Sequence, residues 1–277
     1  MNTNLIYDIG MHNGDDTAYY LSLGYKVIAI DASPDLVEKA KTRFKEAIET
    51  GKLNILNLGI ANGEGTMDFY LNKKSSVWNS FDKEIGERGG NGFDIIKVKT
   101  DSVDHVVEKN GVPFYMKIDI EGNDILCLIS LVNCAEKPLH ISVEVNNVEL
   151  IHKLNELGYK KFKIIDQFKF LPLEIPVFPE FKMYKIHYAF NHSMNFFVRV
   201  ARRLTGRFVD QYYESRYRKL FNYNHPQGSS GPFGDALPGK WHDYEAVLKV
   251  YEFYKRKFEA SARFQGYNFW IDIHATR

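Results

Sequence analysis

The sequence predicts an α/β protein: a Rossmann-like, mostly parallel sheet with helices on both faces, followed by a mainly helical insertion. Three observations carry this. Short apolar runs alternate with amphipathic stretches from Leu5 to about Asp166, a glycine-bearing turn follows the first run, and after Asp166 the alternation gives way to aromatic and basic composition. At 277 residues, 44% of them apolar and 26% charged, the chain suits one large domain or a domain with a sizeable insertion. Disordered and fibrous architectures are excluded.

Leu5–Ile9 is the first strand, Thr17–Leu23 a helix and Lys26–Asp31 the second strand. Ser33 stands at an N-cap with Pro34 after it, opening a helix that runs through Ile48 until Gly51 stops it. Leu53–Ile60 reads as a third strand. Gly65–Phe81 reads as a hairpin, because Met67–Leu71 alternates and Lys73–Ser76 is turn-like. Strands then follow at Phe93–Lys99, Tyr115–Ile120, His140–Val145 and Lys161–Ile165, separated by helices at Ser102–Lys109, Ile125–Leu131 and Val148–Leu157.

Beyond Asp166, helices are expected at Ser193–Tyr217 and His242–Phe264, with a Gly/Pro/Ser-rich loop, Pro226–Gly239, between them. Phe269–Ala275 alternates again and serves as a last strand, antiparallel to the one at Lys161. The expected organisation is a core at 1–166, a cap insertion at 167–266 and a final core strand within 267–277.

Thirty-six Lys and Arg stand against 35 Asp and Glu, so no global field draws the chain to nucleic acid or an anionic membrane, and a charged partner must be read by a local patch. Cys127 and Cys134 have no metal-ligand companions and read as buried thiols. Met1–Asn4 leads into an apolar strand without a basic leader, and no run reaches the ~18 apolar residues of a membrane span. The expectation is a cytoplasmic protein that is not integral to a membrane; a homo-oligomer stays open.

The strongest local signal is Asp8-Ile9-Gly10-Met11-His12-Asn13-Gly14-Asp15-Asp16-Thr17, where the first strand turns into the first helix. Glycines there let backbone amides approach a ligand, and the helix start offers unpaired donors to a carboxylate. Asp31 closes the second strand about twenty residues on, where an acid can accept both hydroxyls of a ribose. The spacing D-x-G-x-x-x-G lacks the tight glycine pair of a diphosphate binder, and Asp8 would repel a diphosphate yet attract an ammonium and a sulfonium. S-adenosylmethionine (SAM) carries both cations.

Alternation puts Lys117, Asp119 and Glu121 on one side of a strand end, at the edge where parallel sheets bind ligands. Glu144 ends the next strand and joins them. Such a carboxylate cluster acts as base and orienting group, with Mg²⁺ held through oxygen ligands as the lesser alternative. A salt bridge between Lys117 and Glu121 is the bland reading. Arg199, Arg202, Arg203 and Arg207 neighbour one another on a helix and could meet a phosphate, but such a run is more often a solvated face. The loop Gly228–Asp235 reads as a lid or a long connection.

The stretch from Asp8 to Thr17 with Asp31 resembles motif I and the acidic loop of class I SAM-dependent methyltransferases. Lys117-Ile118-Asp119-Ile120-Glu121-Gly122, Ser142-Val143-Glu144-Val145 and Asn57-Leu58-Gly59-Ile60-Ala61 resemble the FkbM family in particular. The resemblance implies seven strands with a reversed last hairpin, SAM as donor and a hydroxyl of a sugar, glycan or secondary metabolite as acceptor. It implies that Asp8, Gly10, Asn13 and Gly14 face the methionine portion and that Thr17 helps cap the first helix. It further implies that Asp31 holds the ribose, that Ala32 and Ser33 flank the adenosine, and that Ile60 and Ala61 line the adenine. His12 stands where the family more usually has a small residue, as a specialisation or as a turn residue bonded to backbone.

The leading expectation is therefore an O-methyltransferase without nucleic-acid substrates. An NAD(P)-dependent oxidoreductase or epimerase would need a tighter glycine turn and a Tyr-x-x-x-Lys pair. A non-catalytic SAM-binding module would need Asp119, Glu121 and Glu144 locked in internal ion pairs.

Overall fold

A computed structural model describes residues 1–167, 170–175, 186–187, 189–191, 193–218, 223–226, 228–265 and 270–277. It divides into two compact units, one of Met1–Lys160 with His274–Arg277 and one of Lys161–Ile273.

The first unit is built on a parallel sheet in the order β3-β2-β1-β7-β8. Its strands are β1 (Asn2–Ile9), β2 (Lys26–Asp31), β3 (Leu53–Asn57), β7 (Pro113–Ile118) and β8 (His140–Glu144). Helices α1 (Asp15–Ser22), α2 (Pro34–Arg43), α3 (Lys45–Glu49), α5 (Val103–Asn110), α6 (Asp124–Ser130) and α7 (Glu149–Glu156) alternate with them. The central strands are near-continuous apolar runs because both faces are covered: Ile6, Tyr7, Ile9, Ala29, Ile30, Tyr115, Met116, Ile118, Ile141 and Val143 are all buried. Tyr20 of α1 meets Tyr115 edge-on at 5.6 Å, and the Tyr115 hydroxyl lies 2.6 Å from Ser142 Oγ, so this packed aromatic keeps a polar partner.

A second, three-stranded sheet, β4-β6-β5, holds β4 (Gly59–Ile60), β5 (Gly65–Asn72) and β6 (Phe93–Asp101). Two sequence expectations change here. The run Leu53–Ile60 is not one strand: Leu58 N–H bonds Asp31 O at 3.0 Å, the chain turns, and Gly59 enters the other sheet where a Cβ would fall 2.2 Å from the Phe81 ring. The alternating segment Gly65–Asn72 does not close on residues 77–81. It pairs antiparallel with Phe93–Asp101 over its whole length, from Gly65↔Thr100 to Asn72↔Phe93, because this strand is long enough to pair the backbone groups that face it along all of β5. Residues 73–92 become an excursion carrying the short helix α4 (Lys83–Gly86), tied back by a single bridge between Tyr70 and Ser80. The helix expected to reach Ile48 breaks at Phe44, whose side chain is buried.

The second unit contains β9 (Lys161–Asp166), β10 (Leu171–Leu173), α8 (Phe196–Arg218), α9 (Tyr244–Gln265) and the first half of β11 (Ile271–Thr276), which continues into the first unit. β10 runs antiparallel to β9, a strand beyond the expected seven. The loop read as a lid or a long connection is packed: Ser229, Ser230, Phe233 and Gly234 are buried, and a Cβ on Gly231 would fall 2.5 Å from the Phe170 ring. Tyr213 stacks on His187 at 4.6 Å, so this aromatic serves packing.

Candidate active site

The turn after β1 is shaped by backbone demands that its residues meet one by one. Gly10 has φ +84°, and its N–H and that of Met11 both bond Ile30 O, at 2.9 and 3.0 Å. A Cβ on Gly10 would lie 1.7 Å from Asp119 O, so only glycine lets this turn press against the end of β7. His12 takes a left-handed φ of 51°; its N–H donates to Asp31 Oδ2 at 2.8 Å and its Nε2 lies 2.8 Å from Ser76 Oγ. It is a turn residue with a side-chain partner that local sequence could not reveal. Asn13 accepts the Asp15 N–H at 3.0 Å, and its carbonyl takes Arg43 at 2.7 Å. Gly14 occupies the N-cap of α1 at φ +81°, with the Phe44 ring where a Cβ would stand.

Thr17 is thus not the cap of the first helix. It is the third residue of α1, and its hydroxyl donates to Asp8 Oδ2 at 2.6 Å. Asp8 itself is 0% exposed and pairs in register with Lys117 across β1 and β7. Lys117, 3% exposed, donates from Nζ to Gly10 O at 2.8 Å and lies 3.3 Å from Asp8 Oδ1, 3.6 Å from Asp119 Oδ2 and 3.7 Å from Asp16 Oδ2. Burial opposes its charge, but Asp8, Asp119 and Asp16 hold the ammonium well above its ordinary value. Neither Asp8 nor Lys117 faces solvent. The Lys117–Glu121 bridge of the bland reading does not form; Glu121 has Arg88 at 3.5 Å.

Because Asp8 and Asp16 are buried with this ammonium, Lys117→Met is expected to cost ~3–5 kcal/mol by leaving uncompensated buried carboxylates. Urea unfolding checks this. A loss under ~1 kcal/mol would mean that the acids are protonated or hydrated.

Asp31 ends β2 partly exposed, with Ser33 N–H on Oδ1 at 2.8 Å and His12 N–H on Oδ2. Each oxygen therefore keeps a lone pair for a further donor. Ala32 is half-buried and Ser33 is buried at the N-cap of α2, where its side chain makes no cap bond. Ile60 and Ala61 are buried, and Ala61 N–H is taken by Asp101 O at 2.9 Å.

Past β7 the chain makes a tight turn in which Glu121 has φ 48° and Gly122 φ 108°. Asp124, at the start of α6, receives the Ile120 N–H at 3.0 Å, and Ser80 Oγ donates to Glu121 O at 2.7 Å. One carboxylate oxygen from each of Asp119, Glu121 and Glu144 lies within 4.8 Å of the others, and all three are partly exposed. The three acids expected at the sheet edge are therefore together. Sequence reasoning missed Ser76, Ser80 and Arg88, which reach the site across 33 to 64 residues and leave no local spacing to read. It also missed Asp124, whose position two residues after Gly122 fits a carboxylate bonding nearby amides at a helix start.

Burial pushes Asp31 and Asp124 up to about 6 and, with Asp119 beside it, Glu121 up to about 7. In the unfolded chain such groups release their protons near ~4. Between about 4 and about 7 the folded chain therefore holds the extra protons, and stability falls as pH rises through that window. His105, raised by Asp101, acts in the same sense, whereas His12, lowered by burial and by Lys117, opposes it. Asp101 and Asp104 are lowered by their hydrogen bonds against the pull of burial, and act only at more acid pH. The ligand-free protein should melt higher at about pH 5 than at about pH 7.5. A melting temperature that climbs over this interval would contradict the three raised carboxyls.

The sequence model described as Methyltransferase FkbM domain matches residues 8–168, more than half of the chain. The chain belongs to the FkbM methyltransferase family. The match covers the turn after β1, Asp31 and the three acids at the sheet edge. Membership makes this FkbM chain a methyltransferase, and the oxidoreductase alternative falls with it. Among solved structures, the C-terminal domain of precorrin-6Y C5,15-methyltransferase from Rhodobacter capsulatus is 12% identical over 60% of the FkbM chain and 68% of its own, with a TM-score of 0.36. The precorrin-6y C5,15-methyltransferase from Geobacter metallireducens GS-15 is 10% identical over 59% and 67%, with a TM-score of 0.34. At these values neither relative's activity is transferred. No curated protein matches the FkbM chain significantly. Among the described residues, no helix is long and apolar enough to cross a membrane.

Proposed function

We propose that the chain transfers a methyl group from SAM to a hydroxyl of a small molecule, a sugar or a glycan. The convergence of Asp119, Glu121 and Glu144 carries this reading, because three acids at one sheet edge can attract a cationic donor and take a hydroxyl proton. SAM, when bound, would supply a methyl on a sulfonium, so that as the acceptor oxygen bonds the methyl carbon the carbon–sulfur bond breaks and neutral S-adenosylhomocysteine leaves. The donor's fit rests on Asp31, whose two oxygens keep lone pairs for ribose hydroxyls, and on the turn Gly10–Gly14 as the floor under the methionine portion. Ala32, Ser33, Ile60 and Ala61 are assigned to the nucleoside.

Glu121, raised to about 7, suits a base that is ionised at neutral pH yet basic enough to accept a proton. Glu144 and Asp119 orient the acceptor. Lys117 and Asp8 act by position: the ammonium fixes the Gly10 carbonyl and Asp119, and Asp8 holds that ammonium. A second reading, favoured by the 4.8 Å grouping of three oxygens, is a divalent cation such as Mg²⁺ held there. Restoration of turnover by Mg²⁺ after chelation selects it; turnover unchanged by chelation selects the base.

SAM and S-adenosylhomocysteine at about a hundred times their dissociation constants should each stabilise the protein by ~2.7 kcal/mol, and NAD should not. Asp31→Ala should lose most of the shift, as read by thermal melts. A shift with NAD alone would overturn the donor assignment.

A further inference from the structure

Helix α8 leaves an apolar stripe open. Phe197, Leu204 and Phe208 are 80%, 73% and 73% exposed, and Val200 and Tyr212 complete the row at steps of three and four residues. The opposite face is anchored: Gly206 is buried, Arg202 donates to the carbonyls of Phe190, Asn191 and Ser193, and Asp210 accepts from Asn191 Nδ2 at 3.0 Å. Asn195 caps the helix start by accepting the Phe197 N–H at 2.9 Å. The stripe is therefore the outward side of a held helix.

Alongside it run Arg199, Arg203 and Arg207, all exposed and four residues apart, so they form one row beside the apolar one. From Phe196 to Val209 the sequence holds four arginines and no acid, in a chain whose overall formal charge is only +1. This is the local patch that a charged partner would read.

We propose that α8 docks on an anionic lipid surface, laying Phe197, Val200, Leu204 and Phe208 into the acyl boundary while Arg199, Arg203 and Arg207 meet headgroup phosphates. Charge and form both favour this occupant: interfacial helices combine bulky apolar residues with a basic flank, and an anionic leaflet complements a row of one sign. Antiparallel twofold pairing with a second copy would set the two arginine rows side by side, like against like. The helix lies on such a surface and does not span it.

Flotation of the full chain with phosphatidylcholine vesicles, with and without phosphatidylglycerol, tests this at low and high salt. Binding is expected only with phosphatidylglycerol and should weaken with salt. The triple variant Phe197→Ser, Leu204→Ser, Phe208→Ser should lose it. Arg199→Gln, Arg203→Gln and Arg207→Gln together should weaken it, about fivefold per charge. Both variants should melt with the parent and keep its SAM-induced shift, a readout that stands or falls separately from the vesicles. No binding to anionic vesicles, or equal binding by parent and variants, would overturn the proposal. So would concentration-dependent self-association abolished by Leu204→Glu without vesicle binding, which gives the face to a second copy.

Discussion

Gly10→Ala is expected to cost at least ~3 kcal/mol and to abolish SAM binding, the largest effect of an added Cβ among the described glycines. Two demands meet at this position. Its φ of +84° is one that side chains rarely adopt, and the space where a Cβ would stand already holds the backbone oxygen of Asp119 at 1.7 Å. A backbone atom in the register of a parallel sheet cannot step aside as a flexible side chain would, so either the turn or the end of β7 must move. Either movement separates the donor floor from the acids. Gly24→Ala provides the control, since Gly24 has φ +89° with nothing within 4 Å and should cost only ~1–2 kcal/mol, leaving SAM binding intact. Equal losses at the two positions, measured by denaturant unfolding and calorimetric titration with SAM, would show that conformation alone matters and that the close approach is relieved easily.

Glu121→Gln and Glu144→Gln are expected to retain SAM binding within a few-fold while lowering turnover by ~10²–10⁴. The amide keeps the shape and removes the acceptor for the hydroxyl proton. If Glu121 is the base, the parent's kcat/KM should rise with pH until about 7, because the protonated carboxyl cannot take a proton, and this limb should vanish in Glu121→Gln. Unaltered turnover in both variants removes the acids from the chemistry. A lost limb with Glu144→Gln and a retained one with Glu121→Gln would exchange their roles.

The mostly parallel sheet, the glycine turn after its first strand and the three acids at its edge were legible because each is encoded locally. Apolar runs mark strands buried on both faces, glycine marks positive φ, and alternation places Lys117 and Asp119 on one side. Pairing between distant segments was not. Gly65–Asn72 alternates as a hairpin strand would, yet its partner starts at Phe93, and nothing within the segment says which later strand will match its length. The position of Lys117 beside Asp119 was readable, but its enclosure by Asp8 and Asp16 depends on the β1–β7 register and on where α1 begins. The family resemblance implied a capping part for Thr17, whereas α1 starts two residues sooner and turns the hydroxyl toward Asp8. Arg88 and Ser80 approach Glu121 only because the 73–92 excursion folds back.

That excursion touches the site at four points: Ser76 on His12, Ser80 on the Glu121 carbonyl, Arg88 on the Glu121 carboxylate, and Ile85 against Gly122. None of these residues lies on a strand of the large sheet. Substitutions there can reshape the reaction centre while the buried ionic framework beneath it stays as it is. Descendants of such a chain can drift toward new acceptors through one surface ribbon, without ever risking the scaffold that grips the donor.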